Sequence, residues 1–512
     1  MLALLLITGA AVLLAARWWQ AKVQFARFLP RAQPYYPVVG NLQIALPFGK
    51  SAEQLFTLLH GYFRQHDRMF AIHIGPKVAI GLSHPELVQT VLNHPDCQEK
   101  SNVYKLLRLP NGLLSSKYQI WKLHRKTLNS TFNIRILNSF LPIFNEGTQK
   151  LINLLNQHAH SRKVFNILEP LTRCTLEMVC ATSFGRKVLE SEGNRYFFDC
   201  LEILLTSIGE RLVNVLLHSE IIYRLTPKYN REMKCGAVCR RFTEKVLEEK
   251  RVEIESLFSK NSSMATDGTL SDDEGEPFKR PQIFIDQLLK MPLMMKSAYN
   301  FSDQEISDHV FTMIIAGNET SATQTAHTCL LLAMNPEIQE KAFQEVQQIV
   351  PSGDTFIDAD MLRKLVYVEA VLKESLRLLP VGALISRKNL QDIVLDGHTI
   401  PKNTAIVLNP YSLHRRPDIW GSDWEKFVPE RFLGEDAQRR HPYAFIPFSA
   451  GPRGCIGNRY AMMTLKIMMA MILKNFKIST KLKYEELKIH YQISLNLTCP
   501  HAVCLERRDC KQ

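Results

Sequence analysis

The stretch PFSAGPRGCIGNRYAMM, Pro447 to Met463, sets one cysteine among three glycines and an arginine, directly before a helical pattern. Cysteine is ordinarily a small buried hydrophobe, and glycine costs chain entropy wherever its freedom is unused. Gly451, Gly454 and Gly457 bracket Cys455, so the backbone can turn tightly there and approach another group closely. Arg453 adds a permanent positive charge two residues away. Positive charge and a following helix N-terminus both lower a thiol pKa, which is the chemistry of a thiolate ligand. Taken alone, the segment also reads as a tight turn around an inert thiol.

Outward from this segment, the chain has 512 residues, 46% hydrophobic and 22% charged, a globular composition and not a disordered or fibrous one. Its net charge of +13 points to an acidic partner, such as membrane lipid or an acidic protein surface. The basic runs RKTLNS, CRRFTEKVLEEKR and HRRP are scattered and not interleaved with stacking aromatics, which argues against nucleic acid. The eleven cysteines are odd in number and none forms a C-x-x-C pair, so no disulfide framework is expected and a reducing compartment fits. Cys235 and Cys239 share a helical face, but no histidine pair at zinc-site spacing joins them.

The chain opens MLALLLITGAAVLLAARWWQAK. Residues 2–16 carry no charge, Trp18 and Trp19 suit a membrane interface, and Leu2 to Trp19 as a helix would span ~27 Å. No Lys or Arg precedes the run, while Arg17, Lys22, Arg27 and Arg31 follow it, so the positive-inside rule puts the body in the cytosol. A cleaved signal peptide is the alternative; the missing basic n-region weighs against it. The expected organisation is an anchor over residues 1–20, a basic, proline-containing connector over 21–49, and one catalytic domain over 50–512. Within that domain, 259–281 is polar and acidic and reads as a mobile surface loop.

SAEQLFTLLHGYFRQH reads as a helix and RMFAIHIGPKVAIGL as strand-like. Long amphipathic helices are expected from Trp121 to about Glu255 and again to about Leu379. SRKNLQDIVLDGHTIPKNTAIVLNP is β-rich with a turn at Asp396–Gly397, and the tail KIHYQISLNLT alternates like a strand. The fold class is mainly α with a small β region.

Three further motifs lie upstream of the cysteine loop. KESLR places Glu374 and Arg377 three apart on one helical face, alone an ordinary surface ion pair. WKLHR places Trp121 and Arg125 one turn apart, able to stack on and pair with a planar anion. HVFTMIIAGNETSATQT begins as an apolar helix and then carries Gly317, Asn318, Glu319 and Thr320; a buried carboxylate there needs partners or a task.

In this order, over roughly Pro37 to Thr498, these motifs resemble the cytochrome P-450 superfamily of haem-thiolate monooxygenases. FSAGPRGCIG is similar to its cysteine loop, KESLR to its ExxR helix, FVPERF (Phe427 to Phe432) to the segment that locks that helix, and AGNET to its oxygen-activating helix. Longer phrases, such as LHRRPDIWGSDWEKFVPERF, resemble the microsomal family-4 clan. One departure is Ala316, where many relatives carry a glutamate that can bond covalently to haem.

The resemblance implies a triangular, helix-rich prism holding haem b, bound non-covalently apart from a Cys455–iron bond. It implies that Trp121, Arg125, Arg387 and Arg453 hold the propionates, with Phe448 also beside the cofactor. Gly317 leaves room where the helix passes over the haem, and Thr320 with Glu319 serves oxygen activation and proton relay. Glu374, Arg377 and Arg431 keep the cysteine loop in shape. Electrons would come from an NADPH-dependent FAD/FMN reductase, with a small b-type cytochrome as a further partner; Lys122 and Lys126 are candidates for that docking face. The expected setting is the endoplasmic reticulum membrane, the substrate lipophilic, and the reaction an O2-dependent monooxygenation. A haem-thiolate isomerase or dehydratase needing no reductase, and a non-catalytic haem- or lipid-binding protein, are the alternatives. The substrate is not legible, because the pocket loops around Asn102 to Leu114 and Arg211 to Ile222 carry no signature.

Overall fold

Local chemistry in the sequence sets the element boundaries. Ser51 caps helix α1 (Ala52–Arg64): its hydroxyl accepts the Gln54 N–H at 3.3 Å, while the Gln54 side chain accepts the Ser51 N–H at 2.9 Å, a reciprocal capping box. The computed structural model describes residues 14, 17, 23–36, 40–41, 51–74, 77–107, 111–186, 194–264, 281–294, 299–351, 353, 356–491 and 494–508. The helices that build the site are α2 (Tyr118–Leu128), α3 (Leu141–Ser161), α4 (Leu168–Ser183), α5 (Asn194–Val213), α6 (Pro227–Met264), α7 (Asp303–Met334), α8 (Val366–Leu378) and α9 (Asn458–Asn475). The strands are β1 (Met69–Ile74), β2 (Lys77–Leu82), β3 (Glu99–Lys100), β4 (Phe165–Asn166), β5 (Ile385–Lys388), β6 (Ile393–Leu395), β7 (His398–Ile400), β8 (Ala405–Leu408), β9 (Phe476–Ser479), β10 (Ile489–Tyr491), β11 (Leu495–Leu497) and β12 (Ala502–Arg507).

The 32-residue α7, ~48 Å long, is the axis of the molecule. Ser302 and Glu305 start it with a second capping box, and most of its side chains are buried on every side, as expected of a core helix. It packs against α4, α6, α8 and α9. A five-stranded sheet of order β1-β2-β8-β5-β3 has its own smaller core; β2 and β8 run parallel and the other pairs antiparallel. The D-G turn joins β6 to β7 with φ of 50° at Asp396 and 77° at Gly397, the left-handed pair that a tight hairpin requires. The architecture is mainly α with small sheets.

Several expectations are refined. RMFAIHIGPKVAIGL is the β1–β2 hairpin. The tail KIHYQISLNLT holds two antiparallel strands, β10 and β11, and not one; the apolar alternation runs unbroken from one strand to the next, so the pattern does not separate them. The polar segment begins helical, because α6 continues to Met264; residues 265–280 lie outside the described residues. Part of the connector belongs to the body: Ala26, Leu29 and Ala32 are buried, and Ala32 N–H donates to the Ala71 carbonyl of β1 at 3.0 Å. The expected anchor lies outside the described residues apart from positions 14 and 17, and no described helix is long and apolar enough to cross a membrane.

The KESLR pair is not at the surface. Glu374 and Arg377 are both 0% exposed and share two hydrogen bonds, of 2.6 and 2.7 Å. Arg377 also donates to the carbonyls of His414 and Lys426, each at 3.0 Å. Glu374 accepts the Val428 N–H at 2.9 Å, and Arg431 of the FVPERF segment stands 3.6 Å from it. Every strong donor and acceptor of the pair is thus engaged, the condition under which buried charges are tolerated. Glu374→Ala, which strands the arginine, is expected to cost about 3–5 kcal/mol, read as a lower urea midpoint. A midpoint equal to wild type would mean that the pair does not hold the fold.

Candidate functional site

The cysteine loop is shaped by one glycine above all. Gly451 has φ of +68°, and a Cβ there would lie 2.3 Å from the Leu92 carbonyl oxygen, so both backbone conformation and space exclude a side chain. Gly457 meets nothing closer than the Cys455 sulfur at 3.8 Å, and it caps α9. Ser449 also has a positive φ, of 58°, and the Cys455 N–H donates to the Phe448 carbonyl at 2.9 Å, closing the loop. Phe448 itself is half-buried.

Cys455 is exposed, whereas Cys97, Cys174, Cys180, Cys200, Cys235, Cys239 and Cys329 are buried and Cys499 and Cys504 intermediate. Its surface is open, yet protein surrounds the sulfur at longer range, as for a side chain on the wall of a recess. That surrounding raises the thiol pKa, against the opposing pull of the Gly457 N–H, Arg125 and Lys100. The expected lowering is therefore present but outweighed by desolvation in the chain by itself; coordination to a metal would deprotonate the thiol outright.

Around the thiol the structure gathers cations. Arg387 is fully buried on β5, donating to the Ser386 carbonyl at 3.2 Å and to Ser449 Oγ at 3.4 Å, while its Nε has no partner. Lys100 on β3 pairs with Arg387 in register, and its ammonium lies 4.3 Å from the Tyr104 ring centre. Its pKa is driven well below the usual lysine value by burial first, then by Arg387 and Arg453. Arg125 on α2 is half-buried, and burial lowers its pKa against the attraction of Cys455. Arg453 lies 4.4 Å over the buried Trp121 ring and donates to the carbonyls of Gln98, Leu113 and Ser116 at 2.9, 3.5 and 3.1 Å. Trp121 therefore stacks on an arginine of the cysteine loop, and three of Arg453's donors clamp the segment from Gln98 to Ser116. Glu99, which counters Arg453, is itself engaged by the Tyr118 N–H at 2.7 Å. A cation cluster with an orphaned buried Nε fits a group carrying two carboxylates, as haem does. Lys100 was not legible in the sequence, because only the short β3–β5 pairing carries it there.

On α7, Ala316 is exposed while Met313, Gly317 and Thr320 are half-buried, so one face of an otherwise enclosed helix is open. Thr320 Oγ1 donates to the Ala316 carbonyl at 2.6 Å. Glu319 turns elsewhere, accepting from Ser494 Oγ at 2.5 Å; burial raises its pKa and Ser494 lowers it, with burial the larger effect. The two residues are adjacent but held by different partners. Asn318 faces α4 and accepts from Thr175 Oγ1 at 2.8 Å. A Cβ at Gly317 would lie 2.8 Å from Val179 Cγ2, so the glycine lets α7 close onto α4. The segment near Asn102 to Leu114 does press on α7, where the Asn111 N–H donates to Asp308 Oδ2 at 3.2 Å.

A cytochrome P450 family model matches residues 30–504. The chain is 31% identical to cytochrome P450 4c21 of Blattella germanica over 480 residues, 93% of each chain. It is 32% identical to human cytochrome P450 4V2 over 499 residues, 96% of this chain and 92% of that one. A probable cytochrome P450 313b1 of Drosophila melanogaster is 30% identical over 523 residues, 99% of this chain and all of that one. The chain belongs to the cytochrome P450 family. It is a haem-thiolate monooxygenase in general type, with haem b bound through a cysteine–iron bond and with O2, a substrate and a redox partner implied.

Gly317→Ala is expected to destabilise the protein by about 1–3 kcal/mol through overpacking against Val179. Adding Val179→Ala should restore most of the loss in thermal unfolding; no restoration would mean that the glycine serves something other than this helix contact.

Proposed function

We propose that this chain is a membrane-attached monooxygenase that inserts one atom of O2 into a lipophilic substrate, with Cys455 as the iron ligand. The observation that carries the reading is the exposed Cys455 thiol in its strained loop, attracted by Arg125 and Lys100, with Arg387 and Arg453 close to Lys100. Haem bound there supplies the oxygen chemistry, which a thiolate ligand favours by pushing electron density toward O–O cleavage. The residues of the chain do the rest. Arg387, Lys100 and Arg125 would hold the propionates, while Arg453 with Trp121 fixes the wall of the site and would contribute its remaining donors. Thr320 delivers a proton on the open face of α7, and Glu319 supplies it from solvent. Ala316 cannot form an ester, so the cofactor is released by acid-organic extraction.

Exposed Lys122 and Lys126 on α2 suit an acidic redox partner, which we take to be an NADPH-dependent FAD/FMN reductase, with a small b-type cytochrome as a second donor. Leu216, Ile221, Ile222 and Leu225 are 54, 76, 44 and 83% exposed between α5 and α6, an apolar cluster suited to lipid. Together with residues 1–20 as an anchor, it supports attachment to the endoplasmic reticulum membrane with the body in the cytosol.

Two experiments test this. Reduced Cys455→Ala exposed to carbon monoxide should lose the red-shifted Soret band, whereas Thr320→Ala should keep it and divert several-fold more NADPH to peroxide or water. A band that survives removal of Cys455 overturns the ligand assignment, and turnover without any reductase favours an isomerase or dehydratase. For topology, protease added outside intact microsomes should digest the body. Deleting residues 1–28 should convert salt-resistant attachment into attachment that high salt releases. A protected body would mean export.

A further inference from the structure

Glu319 stands between two environments. On α7 it lies one residue, about 100° of turn, from Thr320 and the open helix face. On its other side is a recess of about 1180 Å³ between α3, α4, α5 and α7, with Asn318 and Glu319 on its α7 wall. Its lining mixes apolar side chains, among them Leu176, Phe198 and Leu205, with a run of charged ones. From α4 it presents the Arg173–Glu177 ion pair, 3.2 Å apart, and from α5 Arg195, Asp199 and Glu202. The α3 carboxylate Glu146 is already held, by Arg186 at 2.7 Å and Lys150 at 3.2 Å. The charged side chains of the recess can order water, the source of protons.

What fixes the Glu319 carboxyl comes from a distant part of the chain. Ser494 is 3% exposed and immediately precedes β11. Its neighbour Leu495 donates its N–H to the Val381 carbonyl at 2.9 Å, and the Tyr491 hydroxyl at the end of β10 donates to the Leu384 carbonyl at 3.5 Å. Both strands of the hairpin are therefore tied to the segment that leads from α8 into β5. Tyr491 is the titratable group that the hairpin brings near Glu319; its phenol is pushed up by burial first, with Tyr104 and Glu319 adding to the effect. Ser494 is the hydrogen-bond partner of Glu319 among the described residues.

We propose that Ser494 is a positioning residue for proton delivery: its hydroxyl holds the Glu319 carboxyl on the wall of the α3–α4–α5 recess, where it loads protons from water. This rests on the reading of Glu319 as the proton source for Thr320. The bookkeeping is one proton in and one out: a solvent proton, relayed as hydronium through recess water, is given to the carboxylate oxygen and leaves neutral water behind, and the carboxyl passes one proton on toward the Thr320 side, with no electron transferred. Because the Ser494 hydroxyl donates to the charged form, removing it disfavours the carboxylate. Glu319 should then keep its proton to higher pH.

The test uses the haem-loaded enzyme and its infrared carboxyl band, assigned to Glu319 by difference against Glu319→Gln. In Ser494→Ala this band should persist to a pH higher by about one unit, a tenfold change in proton affinity, and Ser494→Thr should bring it back. The share of NADPH electrons recovered as hydrogen peroxide, with no substrate added and at several pH values, gives the second readout. It should rise in Ser494→Ala, and Ser494→Ala added to Glu319→Gln should change nothing further. If Glu319→Gln leaves that share unchanged, the role of Glu319 fails. If Glu319→Gln alters it while Ser494→Ala moves neither band nor share, the Ser494 inference fails. The thiolate carbon monoxide band reports whether each variant has folded.

Discussion

The Glu374–Arg377 pair is the constraint on which the rest of the structure depends. Burying two charges is expensive, and the arrangement is tolerable only because backbone carbonyls and N–H groups from several segments complete both shells. Arg377 reaches the carbonyls of His414 and Lys426, and Glu374 the N–H of Val428. His414 in turn accepts the Ile446 N–H at 2.9 Å through its Nε2, and the Ser449 N–H donates back to the Ile446 carbonyl at 3.0 Å. A short chain of bonds therefore runs from the ion pair on α8 to the residues just ahead of the cysteine loop. The pair acts as a ruler that sets where the loop begins.

A second imbalance lies beyond that ruler. Burial is the leading cause that lowers the charge of Lys100, Arg387 and Arg453; Arg387 and Arg453 add to it at Lys100, and Arg387 adds to it at Arg453. With Glu99 beside Arg453 as its carboxylate counter-charge, such a cluster of buried cations is a cost that the apoprotein carries. The family's haem, with two carboxylates, matches it in sign. The same logic accounts for the thiol, which burial holds protonated in the bare chain and which a metal would convert to thiolate.

Much of this was legible in the sequence, and the omissions have a common cause. The helices, the D-G turn and the cysteine loop are local, and local chemistry writes them into consecutive residues. KESLR is different: an i, i+3 pair has the same spacing on a wet surface as in a dry core, so its burial could not be read. Lys100 joins the site through a two-residue strand paired with β5, and Ser494 through a hairpin whose apolar alternation runs unbroken from one strand to the next. The contact of Gly317 with Val179 on α4 is likewise set by a residue far away in the chain. In each case the decisive partner is remote in sequence, and no window of the chain contains both.

The contact between Gly451 and the Leu92 carbonyl carries a consequence for the order of assembly. Its two halves come from opposite ends of the chain, and domains made on the ribosome generally organise from the N-terminal side. The loop that carries Cys455 is thus moulded against a surface that emerges much earlier. Its shape cannot be complete until the last part of the polypeptide has been synthesised and has closed back over the first. A nascent chain interrupted before Gly451 would lack both this contact and the Cys455 thiol, however much of the helical body had already formed.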